Sequence, residues 1–303
     1  MRGIYNLLTY ITKAALPLPA KFNPKLKLFV EGRKQVFDRL EKIDFSEDWV
    51  WFHAASLGEF EQAVPIMEAI KENYPNYKIL VSFYSPSGYE NKKKHPLADA
   101  IVYLPIDTPK NAKRFVSLTK PKMAFFIKYD IWPNFLKELK SYKIRTFLIS
   151  GAFRKDQIYF KPYGGLFREA LRVFEHIFLQ NESSKKLLKT IDIENTTVSG
   201  DTRFDRVARQ LEYDNQLDFV SKFKNQKTCI VAGSTWPEDD ALLVNFINNS
   251  SEDVKFIIAP HEIKSEKIEK LKAQIVKKRS YFQKKKIPKL VNIKCLLLIP
   301  SGY

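Results

Sequence analysis

The sequence predicts an α/β protein, a doubly wound parallel sheet followed by a second unit of the same kind. Three observations carry that expectation. Short apolar runs recur along the chain and are continuous rather than alternating, the pattern of strands covered on both faces. Stretches with helical spacing separate them, as the crossovers between parallel strands require. The grouping of strand, tight turn and helix at "WVWFHAASLGEFEQ" recurs at "TCIVAGSTWPEDDALL" and "VKFIIAPHEIKSEKI".

Taken in order, the chain opens with "MRGIYNLLTYITKAALPLPAKF". Its apolar run contains Lys13, Pro17 and Pro19 and is shorter than the roughly 20 residues a spanning helix needs. It has no small-residue cleavage site, so a secretory signal fits poorly. With Arg2, Lys13, Lys21, Lys25 and Lys27 around it, it reads as a helix lying in a membrane interface, or as a first helix packed on the domain. Strands are then expected at "WVWFHAA", "KILVSFYS", "AIVYLPI", "MAFFIKY", "RTFLIS" and "HIFLQN", with a helix over "EFEQAVPIMEAIKENY". A second unit is expected to begin near "TTVSGDTRFDRV", with a charged helix over Asp205 to Lys224. Ligand sites in such sheets lie at the carboxyl ends of the strands.

Composition narrows the partners. Over 303 residues, 51 Lys+Arg against 34 Asp+Glu give a formal net charge of +17, which favours anionic partners. The basic runs "NKKKH", "QIVKKRS" and "QKKKIPK" come without a zinc finger, an RNA-recognition signature or a helix-turn-helix. Solvated faces or contacts with anionic lipid are the more economical reading, with no nucleic acid. Cys229 and Cys295 make no CxxC pair, which favours a reducing, cytoplasmic setting. The four histidines, His53, His95, His176 and His261, are scattered, so no metal site is expected.

Several strand ends carry candidate chemistry. In "SLGEFEQ", Ser56 and Gly58 form a strand-to-helix turn, and Glu59 sits in the first turn of the helix. A carboxylate there is either a general base or an ordinary complement to the helix dipole. Ser85 and Ser87 in "SFYSPSGYE" either hold a phosphate or hydroxyl at a helix start or belong to a plain loop. Lys128 and Asp130 in "KYDIWPN" mark a site or a salt-bridged loop. Gly233, Ser234 and Thr235 follow the strand "TCIVA" as a turn suited to cradling a phosphate, yet match neither GxGxxG nor a Walker A. His261, after Pro260 in "IIAPHEI", is either structural or catalytic.

Together, "EGRK", "FHAASLGEFEQAVP", "YSPSGYE", "YLPIDTP", "YDIWPN", "VSGDTRFDRV", "AGSTWPEDD" and "IAPHE" resemble the 3-deoxy-D-manno-octulosonic acid (Kdo) transferases of lipopolysaccharide synthesis. The resemblance runs from about residue 22 to about residue 294. It implies a GT-B-like fold, two Rossmann-like domains facing a cleft. Residues 1–45 would be a membrane-interface lead-in, 46–200 the acceptor-binding domain, and 201–303 an incomplete CMP-sugar-binding domain. It implies transfer of Kdo from CMP-Kdo to a lipid A precursor at the cytoplasmic face of the inner membrane, beside anionic lipids, with no cofactor. By resemblance Glu59 is the catalytic base. Gly233, Ser234 and Thr235 hold the CMP part with Pro260 and His261 nearby, and Arg203 takes the place of a basic residue of the family.

The chain departs from the pattern at "IKYDIWPN", where the family has acids on either side of a threonine and this sequence has Lys128, Tyr129 and Asp130. The role of this second acidic site is therefore open. An arginine is also usual near His261. At the tail, the family reads V-L-I-I-D-T-I-G-L-L-S where this chain reads "CLLLIPSGY". One coding of the family segment, with its first base dropped, yields Cys295 to Tyr303 and a stop. A frameshift after Lys294 is the expectation, with a chain that lacks part of its donor domain and is inactive as it stands.

Overall fold

Every residue of the strand Trp49–Ala54 is buried in the computed structural model of the protein, as its unbroken apolar run requires. The structure describes residues 1–214, 216–250, 253–262, 264–276, 279–283 and 295–299. It divides into two units, Met1–Glu212 and Tyr213–Tyr303.

The first unit opens with α1 (Arg2–Ala15), α2 (Pro17–Ala20), α3 (Pro24–Lys34) and α4 (Val36–Leu40). Its strands are β1 (Trp49–Ala54), β2 (Lys78–Phe83), β3 (Ala100–Tyr103), β4 (Met123–Ile127), β5 (Arg145–Gly151), β6 (His176–Leu179) and β7 (Thr196–Val198). Between them run α5 (Leu57–Asn73), α6 (Pro86–Lys92), α7 (Pro109–Thr119), α8 (Pro133–Ser141), α9 (Gly165–Leu171) and α10 (Glu182–Lys189), and α11 (Thr202–Gln210) follows β7. All seven strands are parallel, in the order β3-β2-β1-β4-β5-β6-β7. Prolines open many of the helices at positions where a missing N–H costs nothing, and Thr108 and Asn181 cap α7 and α10.

The register explains the core. Phe52, Phe125 and Phe147 are partners on β1, β4 and β5. Their rings stack at 4.8 and 5.3 Å between centroids along one face of the sheet. On the other face the fully buried Trp51 meets Phe115, Phe126 and Phe135 in tilted and edge-on contacts.

Two expectations shift here. Strand β7 and helix α11 belong to the first unit, so the division falls after Glu212 rather than after residue 200. The expected helix over Asp205–Lys224 is two helices, α11 and α12 (Asp218–Lys224). Between them the Asp214 side chain accepts the Gln216 N–H at 2.9 Å, a local bond that competes with helix continuation.

The second unit contains α12, β8 (Thr228–Thr235), α13 (Pro237–Asn249), β9 (Val254–Pro260), α14 (Ser265–Gln274), β10 (Arg279–Gln283) and β11 (Cys295–Ile299). Its parallel sheet has the order β10-β11-β9-β8. Ile247, Phe256, Ile258, Ile268 and Leu271 pack one face under α13 and α14, while Phe223 and Ile257 pack the other under α12. The segment expected to be frameshifted lies partly in β11, and residues 300–303 of it lie outside the described residues.

Candidate active site

The strand order puts β1 between β2 and β4, so the connections on its two sides leave the sheet in opposite directions. A crevice opens at such a switch point, at the carboxyl ends of the strands. Glu59 comes off β1 and Asp130 comes off the adjacent β4.

Glu59 lies in the first turn of α5 and is half-buried. Ser56, the N-cap residue, donates its hydroxyl to Glu59 Oε2 at 2.7 Å. The carboxylate lies beside the free N–H groups and positive dipole end of α5. Among the described residues, Oε1 accepts no hydrogen bond. Gly58 is not the turn residue expected. It is helical, and a Cβ added there would meet only Ser56 Oγ at 4.0 Å, so its contribution is open space over the helix start.

Asp130 is held from beneath by a buried network that the sequence did not disclose. His53, fully buried near the end of β1, places Nε2 2.5 Å from Asp130 Oδ2 and Nδ1 2.8 Å from Ser82 Oγ. Trp132 donates Nε1–H to Asp130 Oδ2 at 2.9 Å, and Trp51 donates its own to Ser82 Oγ at 2.8 Å. One oxygen of Asp130 is thus engaged by the fold, and its side chain keeps 19% of its surface exposed. Lys128 adopts a left-handed backbone, φ 66°, and its N–H bonds Ile149 O on β5. That turn ends β4 one residue after Ile127 and starts the loop that carries Asp130.

Ser85 and Ser87 are accounted for locally. Ser85 caps α6 by accepting the Ser87 N–H at 3.2 Å, their hydroxyls lie 2.8 Å apart, and the Ser85 N–H bonds Ala55 O beside the end of β1. A second network crosses the ends of β5, β6 and β7. Buried Gln62 bonds Ser150 at 3.2 Å and Asp201 at 3.0 Å, and Gln180 bonds Ser150 at 3.1 Å. Arg203 grips Asp201 through Nε and Nη2 and holds its carboxyl down to about 2. Arg203 is therefore exposed on α11 of the first unit, not in the second as expected.

In the second unit, Gly233, Ser234 and Thr235 are the last residues of β8 rather than a turn after it. The register shifts between Gly233 and Thr235, and Ser234 takes φ 59°, a bulge that turns the chain into α13. Ser234 Oγ lies 2.9 Å from His261 Nδ1, and the His261 ring stacks on Trp236 at 4.4 Å. The buried Thr235 Oγ1 and Asp240 Oδ1 have no partner among the described residues. They line, with Pro260, a cavity of ≈ 20 Å³, room for one water molecule. Among the described residues no three His, Cys, Asp or Glu side chains are grouped as a metal would need.

Residues 27–206, which include Glu59 and Asp130, match the family model described as "3-Deoxy-D-manno-octulosonic-acid transferase (kdotransferase)". The chain belongs to this family. It is 26% identical over 208 residues to the 3-deoxy-D-manno-octulosonic acid transferase of Rickettsia bellii, covering 68% of this chain and 49% of that protein. It is 28% identical over 249 residues to the transferase of the same name from Aquifex aeolicus, covering 80% and 63%. The chain thus spans about half to two thirds of the length of these relatives. Among solved structures it is similar to UDP-GlcNAc 2-epimerase from Neisseria meningitidis, at TM-score 0.58 and 14% identity, covering 84% of this chain and 73% of that one. The epimerase from Methanocaldococcus jannaschii gives TM-score 0.55 at 14% identity, covering 84% and 73%. This likeness is one of fold, the GT-B-like class of Rossmann-like units.

Proposed function

We propose that the protein is a glycosyltransferase moving Kdo from CMP-Kdo onto a lipid A precursor, with Glu59 as general base. The observation that carries this is a carboxylate at a helix start, at the sheet's switch point, fixed through one oxygen by Ser56 and open at the other. Glu59 takes the proton of an acceptor hydroxyl as that oxygen attacks the anomeric carbon of Kdo. The bond to the CMP phosphate oxygen breaks, and CMP departs with the bonding pair. CMP is a good leaving group, so positioning and charge complementarity supply much of the rest. Asp130, steadied by His53 and Trp132, orients the acceptor through its second oxygen. Gly233, Ser234, Thr235, Pro260 and His261 hold CMP, and Arg203, whose charge Asp201 shares, contributes to the donor side.

The acceptor is membrane-borne, and α1 suits that setting. Ile4, Leu7, Leu8 and Ile11 recur at helical spacing and are all more than half exposed. Asn6 and Tyr5 on the other side bond Asn134 and Asp107 of the domain. No helix among the described residues is long and apolar enough to cross a membrane. The reading is a helix lying in the cytoplasmic leaflet of the inner membrane, held by apolar burial and by anionic lipid. The test is transfer of labelled Kdo by the full gene product and by its Glu59→Gln variant. Loss of turnover with substrate binding retained supports the base, and undiminished turnover refutes it.

A further inference from the structure

A cavity of ≈ 410 Å³ lies between the N-terminal helices, the loop after β3 and the start of α7, and Glu59 does not line it. Its walls are of two kinds. Phe29, Val30, Phe37 and Ile106 supply apolar surface, and Lys13, Arg33 and Lys110 supply positive charge. None of these three cations is paired with a carboxylate among the described residues, whereas Lys34 and Arg114, which also line the space, bond Glu31 and Glu41. Arg33, from the "EGRK" motif, is the most constrained. It donates to the carbonyls of Leu104, Phe29 and Tyr84 and lies 3.5 Å over the Phe29 ring. Burial holds its guanidinium down to about 10, and two of its five N–H groups remain unused. A second hollow of ≈ 360 Å³ continues the space along α2 and α3, sharing Pro17, Val30 and Lys34. An apolar space of ligand size with unpaired cations on its wall is complementary to an amphiphile with an acidic head. Lys13, in the last turn of α1, puts this space against the helix whose outer face is apolar.

We propose that this cavity binds one anionic glycerophospholipid of the membrane, an acyl chain among Phe29, Val30, Phe37 and Ile106 and the phosphate at Lys13, Arg33 and Lys110. The bound lipid fixes α1–α3 on the domain. It also reaches the acidic site. Arg33 bonds Tyr84, the Tyr84 ring packs on Trp132 at 4.6 Å, and Trp132 bonds Asp130.

Native mass spectrometry of the full chain, released from neutral detergent with added phosphatidylglycerol or phosphatidylcholine, tests this without any sugar substrate, so its failure leaves the transferase reading untouched. One phosphatidylglycerol is expected to stay bound, and phosphatidylcholine is not. Val30→Trp, which fills the cavity, is expected to abolish retention. Lys13→Glu with Lys110→Glu, both on exposed side chains, is expected to weaken it on the order of tenfold or more while the fold persists. Equal retention of the two lipids, retention by a folded Val30→Trp variant, or displacement of the lipid by inorganic phosphate alone would overturn the assignment.

Discussion

At the scale of single residues, the first acid to ask about is Asp107, which no catalytic reading uses. It is buried, and it accepts the N–H groups of Asn134 and Phe135 at the start of α8 and the Tyr5 hydroxyl of α1. Burial pushes its carboxyl up from 3.8 to about 7, and those donors only partly oppose the rise. The native state therefore holds this proton more tightly than the unfolded chain between the two values. Its contribution to stability is full below the unfolded value and is lost as pH rises through about 7. Asp107→Asn is expected to flatten that slope, read as urea unfolding free energy at about pH 5 and about pH 8. A slope unchanged by the substitution would assign it to other groups. Legibility at this scale was uneven. Glu59 stands out as a candidate because a strand, a turn and an acid are adjacent in "FHAASLGE", while the local pattern leaves it equally an ordinary complement to the helix dipole. His53 could not, because its meaning depends on Ser82 and Asp130, which are 29 and 77 positions away. The charge of Arg203 is plain in the sequence, yet its unit and its partner Asp201 are properties of the fold.

At the scale of elements, α3 makes the sharpest fit. A Cβ on Gly32 would come within 2.2 Å of the Tyr103 ring, and that ring is buried and stacked on Tyr89 at 4.1 Å. Neither side can yield cheaply, so Gly32→Ala is expected to cost about 1–3 kcal/mol in chemical denaturation. A neutral result would mean that α3 shifts freely on the domain. The strands were legible as elements because a parallel sheet buries both faces and leaves unbroken apolar runs. Their ends were less so, since the carboxyl-terminal residues of "AIVYLPI" and "MAFFIKY" keep the composition of strands after the ladder has stopped. In sequence the Ser234 bulge looks like a turn because Gly and Ser favour both, and only the pairing with β9 distinguishes them.

At the scale of the whole molecule, charge, an apolar helix face and the switch-point site all support the proposed reading of an enzyme working on a lipid at an acidic surface. Leu7→Glu with Leu8→Glu removes two exposed apolar contacts from α1. It is expected to abolish cosedimentation with phosphatidylglycerol vesicles while shifting unfolding by no more than about 0.5 kcal/mol. Vesicle binding that survives would move the membrane contact elsewhere. Strand order and the division after Glu212 were hidden from the sequence, because parallel strands find neighbours through crossovers whose destination no local pattern records. The most direct measurement is Kdo transfer from CMP-Kdo to a lipid A precursor by the full gene product, with and without Glu59→Gln. The account predicts that the variant binds its substrates and turns over about 10²–10⁴-fold more slowly. Turnover equal to that of the unsubstituted protein would contradict it.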